Sequence, residues 1–245
     1  MNATRQLVWD LPTRIFHWAL TAGLTASASI ALLTHDRDSL FPYHAILGLI
    51  LALLVVLRLV WGFIGTRHAR FGSFLFGPVA LATYLRGIFT NTAARHPGHN
   101  PGSAYAILAM LLLLAGITIT GVLMSTGTRG LKDAHEVMTY SLLGVVAAHV
   151  LGVIVHTIRH RENITLGMID GKKVCEPAEA IASVRPAFAL LLVALVSLWS
   201  VGLFRSYDPA TRKATIPLLG TSLKVGDAEK QGRNGEHRER KRHDD

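Results

Sequence analysis

An all-α integral membrane bundle, with a four-helix core and a fifth transmembrane helix, is predicted by three features of this sequence. Half of the 245 residues are apolar. The apolar residues gather into five long runs, and the charged residues, 17% of the chain, concentrate between them. A span needs roughly 20 mostly apolar residues to cross about 30 Å of hydrocarbon.

Four runs meet that length well: Ile15–Leu33, Ala45–Ile64, Ala104–Met124 and Phe188–Phe204. A fifth, His135–Ile158, is more polar because it carries three histidines. No window alternates in the manner of an outer-membrane barrel strand. The first run begins too late and lacks a small-residue cleavage site, so it reads as a span and not as a removable signal peptide. The expected division is a four-span membrane domain over 1–175, a fifth helix over 185–205, and a polar basic tail over 206–245.

The formal net charge is +9, but its distribution argues against nucleic-acid binding. Much of it sits in the tail, where Arg238, Arg240, Lys241 and Arg242 follow a polar stretch. That composition reads as a solvated, disordered segment, with docking to an acidic partner or a lipid surface as the alternative. Among the short loops, Arg5, Arg14, Arg67, Arg70, Arg86, Arg95, Arg159, Arg161, Lys172, Lys173 and Arg185 lie on one side. The other side holds Arg37, Arg129 and Lys132. Positive residues stay on the cytoplasmic side, so the N-terminus is expected in the cytoplasm. Between spans two and three, Pro78–Phe89 is expected to form an interfacial helix.

Twelve histidines are present, and those within spans carry the information, because polar groups at membrane depth face a bundle interior and serve function. His135 and His149 are 14 residues apart, close to four helical turns, so they share a face at levels about 21 Å apart. His17 lies near the cytoplasmic end of span one, and His44 opens span two from the outside. Pairing by depth places His17 with His149 and His44 with His135. Neutral imidazole is a good iron ligand, and bundle cores are common cofactor sites. Two histidines per level make a poor zinc site without carboxylate or thiolate partners. The single cysteine, Cys175, allows no internal disulfide and no C-x-x-C-H attachment. A haem here is therefore held without thioether links, which excludes c-type.

Arg58 follows His44 by 14 residues and shares its face at the deeper level. An intramembrane arginine needs an anion, and within the spans only Glu136, near an end, is acidic; a haem propionate would supply one. His156 lies seven residues beyond His149 and could contact a propionate, exchange protons with a quinone, or simply reside in the interface, the last reading weighing at least as much as the other two. His35, His68, His96, His99, His160, His237 and His243 fall in loops or tail and receive no ligand role. Gly48, Gly116 and Gly121 allow close approach of helices or of a flat macrocycle.

The run Val8-Trp9-Asp10-Leu11-Pro12-Thr13-Arg14-Ile15-Phe16-His17-Trp18 resembles the opening of the bacterial cytochrome b561 and nickel-hydrogenase b-type cytochrome family. Arg58-Leu59-Val60-Trp61-Gly62-Phe63, Arg70-Phe71, Gly98-His99-Asn100-Pro101 and His156-Thr157-Ile158-Arg159-His160-Arg161-Glu162-Asn163 add to the likeness, which covers roughly residues 5–175. The resemblance implies a membrane cytochrome with two haem b groups, ligated by His17, His44, His135 and His149. It also implies electron exchange between quinone and a redox partner, such as a c-type cytochrome or a dehydrogenase or hydrogenase subunit. Rival readings are a membrane anchor for a hydrogenase-type complex, an enzyme oxidising a small reductant at the outer haem, and a haem-free proton relay or transporter.

Overall fold

Each of the five apolar runs is a helix long enough to span a membrane. The computed structural model describes residues 4–90, 92, 94 and 96–226. In chain order the elements are β1 (Thr4–Leu7), α1 (Leu11–Leu33), α2 (Phe41–Ile64), α3 (Pro78–Thr90), α4 (Pro101–Ser125), α5 (Lys132–His160), α6 (Ile164–Asp170), β2 (Lys172–Cys175), α7 (Pro186–Ser206), β3 (Lys213–Thr215) and β4 (Ser222–Lys224). The interfacial helix expected over Pro78–Phe89 corresponds to α3. We call the end where α1 begins proximal and the end where α1 finishes distal.

Helices α1 and α4 start several residues before their hydropathy does, because their caps lie in polar sequence. The Asp10 carboxylate accepts from the Thr13 amide at 2.8 Å, and the Asn100 side chain accepts from the Ser103 amide at 2.8 Å. In each case a proline follows in the first turn, where its missing N–H costs nothing.

The bundle is organised around α2, which packs on α1, α4 and α7. By contrast α5 packs chiefly on α4, so its histidine-bearing face is not sealed against α1. Midway between the histidine levels, Val55, Leu114 and Leu142 are buried together with Leu20, Leu24 and Val146 against them. Large side chains on the outer faces are exposed, including Leu112, Leu190 and Leu198. Lipid solvates such residues at no hydrophobic cost, whereas every backbone polar group is satisfied within the helices.

Two small antiparallel sheets close the ends. At the proximal end β1 pairs with β2, from Thr4 opposite Cys175 to Leu7 opposite Lys172. An Arg5–Asp170 ion pair of 2.8 Å flanks it, and Val8, Trp9 and Cys175 are buried beneath. At the distal end β3 pairs with β4. The expectation of a disordered tail from residue 206 fails for residues 207–226. This hairpin buries Ala214, Ile216, Leu223 and Val225 against Ile46, Leu49 and Leu203. Burying Ile216, Leu223 and Val225 stabilises it by roughly 1.5–3 kcal/mol each. Arg212 ties it down by donating to the carbonyls of Arg37 (2.8 Å) and Asp38 (3.2 Å). The basic cluster Arg238, Arg240, Lys241 and Arg242, together with His237, His243 and Arg95, lies outside the described residues.

Asp10 is fully buried. One oxygen takes the Thr13 amide and the Trp61 indole N–H (3.3 Å), and the other takes the Thr66 hydroxyl. Its side chain thereby joins the start of α1 to the end of α2. Asp10→Ala removes a cap and strands two buried donors, so unfolding should become easier by roughly 3 kcal/mol; Asp10→Asn, which still caps, should lose less. Thermal melting in detergent measures both, and an unchanged Tm for the alanine variant would contradict the assignment. For the hairpin, Arg212→Ala should open residues 207–226 to limited proteolysis while the helical circular dichroism of the bundle stays constant.

Candidate functional site

All four span histidines are half-buried, and the two levels differ in how closely their members approach. At the distal level the rings of His44 and His135 lie 6.4 Å apart between centroids, with planes at 79°. His44 Nδ1 is 3.0 Å from the Ser27 carbonyl and 3.0 Å from the Ser27 hydroxyl. A carbonyl only accepts, so His44 Nδ1 carries the proton. On the other ring, His135 Nδ1 is 3.0 Å from Thr120 Oγ1, whose own proton goes to the Gly116 carbonyl at 2.8 Å. That hydroxyl therefore presents a lone pair, and His135 Nδ1 donates to it.

With both Nδ1 atoms protonated, both Nε2 atoms are left as neutral lone-pair donors. The Ile117 carbonyl is a further acceptor for the His135 ring. Small residues give the pair room. A Cβ on Gly121 would lie 3.5 Å from His135 Cε1, one on Gly116 would strike Met138 Sδ at 2.6 Å, and one on Gly48 would meet nothing within 4 Å. Gly116 thus leaves room for the Met138 side chain of α5, while Gly48 borders open space one turn from His44.

At the proximal level His17 and His149 lie within electrostatic range of each other, without the ring contact seen distally. His17 packs edge-on against Trp18 at 4.9 Å, and its Nδ1 is buried with no partner. Arg58 is buried in α2, as its position in the run requires. Its Nη2 donates to the Ala69 carbonyl at 3.3 Å, and its guanidinium lies 5.4 Å from the Phe71 ring centre. Gly62, one turn on, makes space for that ring, since a Cβ there would sit 2.1 Å from Phe71 Cε2. Arg58 Nη1 is buried and unpartnered. The spans alone left Arg58 without a protein anion. The structure brings Asp10 into its electrostatic range, although both oxygens of Asp10 are already engaged. His156, at the end of α5, faces Glu162 at 3.9 Å.

Three features escaped the sequence reading. Asp10 is the first; its signal was the Asp-x-Pro pattern of a helix start, ten residues into the chain. His99 is the second, a loop residue whose ring packs at a tilt on Trp9 (4.6 Å) and edge-on against Phe74 (4.7 Å) with Nε2 buried and unpartnered. Lys173 is the third, donating to the carbonyls of His96 (2.8 Å) and Gly98 (3.3 Å). Burial lowers its pKa below the ordinary lysine value. Among the described residues no three or more His, Cys, Asp or Glu side chains converge as a metal-ion site requires. The histidines come in pairs.

Comparison with known proteins agrees with the helix pattern. The model of the prokaryotic cytochrome b561 family matches residues 8–171. A probable Ni/Fe-hydrogenase B-type cytochrome subunit from Rhizobium leguminosarum bv. viciae is 23% identical over 217 residues, covering 70% of this chain and 90% of its own. No solved structure matches the chain. With five apolar helices and a family match over most of its length, the chain belongs to the prokaryotic cytochrome b561 family of multi-pass membrane proteins, which hold haem b and transfer electrons.

Proposed function

We propose that this protein carries electrons across the bacterial inner membrane through two b-type haems. His44 and His135 hold one, and His17 and His149 hold the other. The observation that carries the reading is the distal pair. Two imidazoles bound to one metal from opposite sides, each through a bond of about 2 Å, hold their ring centres about 6 Å apart. The 6.4 Å separation of His44 and His135 matches that distance, and both rings turn an unprotonated Nε2 away from their anchored Nδ1.

The cofactor supplies one-electron redox chemistry, and the protein supplies ligation, orientation and electrostatics. Ser27 and Thr120 set the ring tautomers. The layer of Val55, Leu114 and Leu142 separates the levels and excludes water between them. Arg58, with an unpaired N–H at the proximal level, offers charge-assisted bonding to a propionate. The cytoplasmic N-terminus follows from the arginine-rich proximal loops. In this reading quinone exchanges electrons near His149 and His156, and a redox protein, such as a c-type cytochrome, works at the other face. A hydrogenase-type or dehydrogenase complex is the second reading for the partner, favoured by the name of the Rhizobium relative.

Purified protein should give a low-spin dithionite-reduced minus oxidised spectrum and two haems per chain by pyridine haemochrome assay. His44→Ala and His149→Ala should each remove or convert one haem. A single haem in wild type would mean that one level is wrong, and a folded chain without haem would overturn the electron-transfer reading. Anchoring of the distal rings has its own signature. Thr120→Val should weaken haem retention about 10- to 100-fold in a His149→Ala background, measured by competition with apomyoglobin. Equal retention would show that the Thr120 contact does not orient His135.

A further inference from the structure

Unpartnered polar atoms gather at one end of this molecule. Thr13 Oγ1, Arg14 Nε, His17 Nδ1, Arg58 Nη1 and His99 Nε2 are all shielded from solvent without a hydrogen-bond partner, and all lie on the proximal side. A buried polar group left unsatisfied costs about 1–3 kcal/mol, more if charged. Of these, Arg58 Nη1 and His99 Nε2 belong to side chains within electrostatic range of each other, which points to a missing acceptor between them. Arg58 is a buried cation with an N–H to spare, so an anion would offset its charge as well as accept its hydrogen bond. Asp10 does not fill the role, because its oxygens already hold Thr13, Trp61 and Thr66.

His99 is the least expected member, because it belongs to no helix. Its position is nevertheless fixed from every side. Trp9 and Phe74 grip its ring. Lys173 holds the carbonyls of His96 and Gly98 on the preceding turn, and Asn100 immediately caps α4. Arg58 of α2, His149 of α5, His68 and Lys173 all lie within its electrostatic range. Burial first, and those neighbouring charges second, push its pKa well below the ordinary histidine value. On its far side a cavity of about 300 Å³ is lined by Arg67, His68, Ser73 and His96. His99 itself lines that cavity, beside Pro97 and Gly98.

We propose that His99, from the loop before α4, donates a hydrogen bond to a carboxylate of the proximal cofactor, sharing that anion with Arg58. The assignment rests on the two-haem reading and extends the site to a residue outside the membrane spans. A neutral imidazole suits the task, since it offers one N–H to the carboxylate without adding a second buried cation beside Arg58. Loss of the donor leaves the carboxylate more negative in its effect on the iron, which favours the oxidised form.

The test compares His99→Phe, which keeps a ring between Trp9 and Phe74, with His99→Gln, which restores an N–H donor. Full-length protein in detergent is assayed for haem per chain and titrated potentiometrically, with a His44→Ala background identifying the proximal wave. His99→Phe should keep two haems and shift the proximal midpoint to lower potential by about threefold in the redox equilibrium, about 30 mV for one electron. His99→Gln should restore most of the shift, and the distal wave should not move. Two haems with unchanged waves in His99→Phe would overturn the assignment of His99 and leave the two-haem reading standing. If His99→Phe loses the proximal haem, His99→Gln decides: retention at the wild-type potential supports the bond, and loss in both variants assigns His99 to packing alone. Wild-type protein without haem would remove the underlying reading and this one with it.

Discussion

Hydrocarbon offers an imidazole no hydrogen-bond partner, so every histidine at membrane depth must be met by something inside the bundle. That constraint organises the molecule. On the distal side the answer is partly internal: a carbonyl and two hydroxyls, from Ser27 and Thr120, take the Nδ1 atoms and leave the Nε2 atoms unprotonated. On the proximal side the protein answers less completely, and unsatisfied donors accumulate around Arg58 and His99. Helices that packed tightly all round would have no space for anything else. Here α5 leans on α4 and leaves its histidine face open toward α1, while Leu142 and its neighbours plug only the middle layer.

The two ends of the bundle are built differently. The distal cap is a short hairpin whose apolar side chains continue the core of α2 and α7. The proximal cap is a polar platform in which loops, a two-stranded clasp and short helices converge on Trp9, Asp10 and His99. Asp10 is its keystone. One carboxylate caps α1, receives the indole of α2 and captures the hydroxyl of Thr66. That position sets the depth of His17, seven residues along α1, relative to Arg58 on α2.

Much of this could be read directly from the residues. Five spans follow from hydropathy, and the 14-residue spacing of His135 and His149 puts them on one face whatever their surroundings, because helical periodicity is local. The pairing of His44 with His135 also follows from depth alone. What was hidden depended on contacts between distant segments. The strands are only three or four residues long, too short for period-two alternation to stand out. The hairpin over 213–224 hides in a stretch whose charges resemble a solvated tail. Nothing near His99 in sequence announces that Trp9 and Phe74 will enclose it, so a loop position gave no hint of burial. Asp10 advertised a helix cap and nothing of its bonds to Trp61 and Thr66, which lie more than 50 residues away.

The β1–β2 clasp bears on the order in which this molecule assembles. Its first strand emerges from the ribosome before α1, but the partner strand is made only after four spans have been synthesised. Closing a loop of that length carries an entropy penalty that grows only slowly with chain length, yet the contact cannot form before its second half exists. The N-terminal residues must therefore wait while α1, α2, α4 and α5 enter the membrane. Only then can Thr4–Leu7 zip onto Lys172–Cys175 and draw Trp9 into place. Until that moment the floor beneath the proximal histidines is incomplete, so the clasp acts as a late latch that seals this end after the helices are in position.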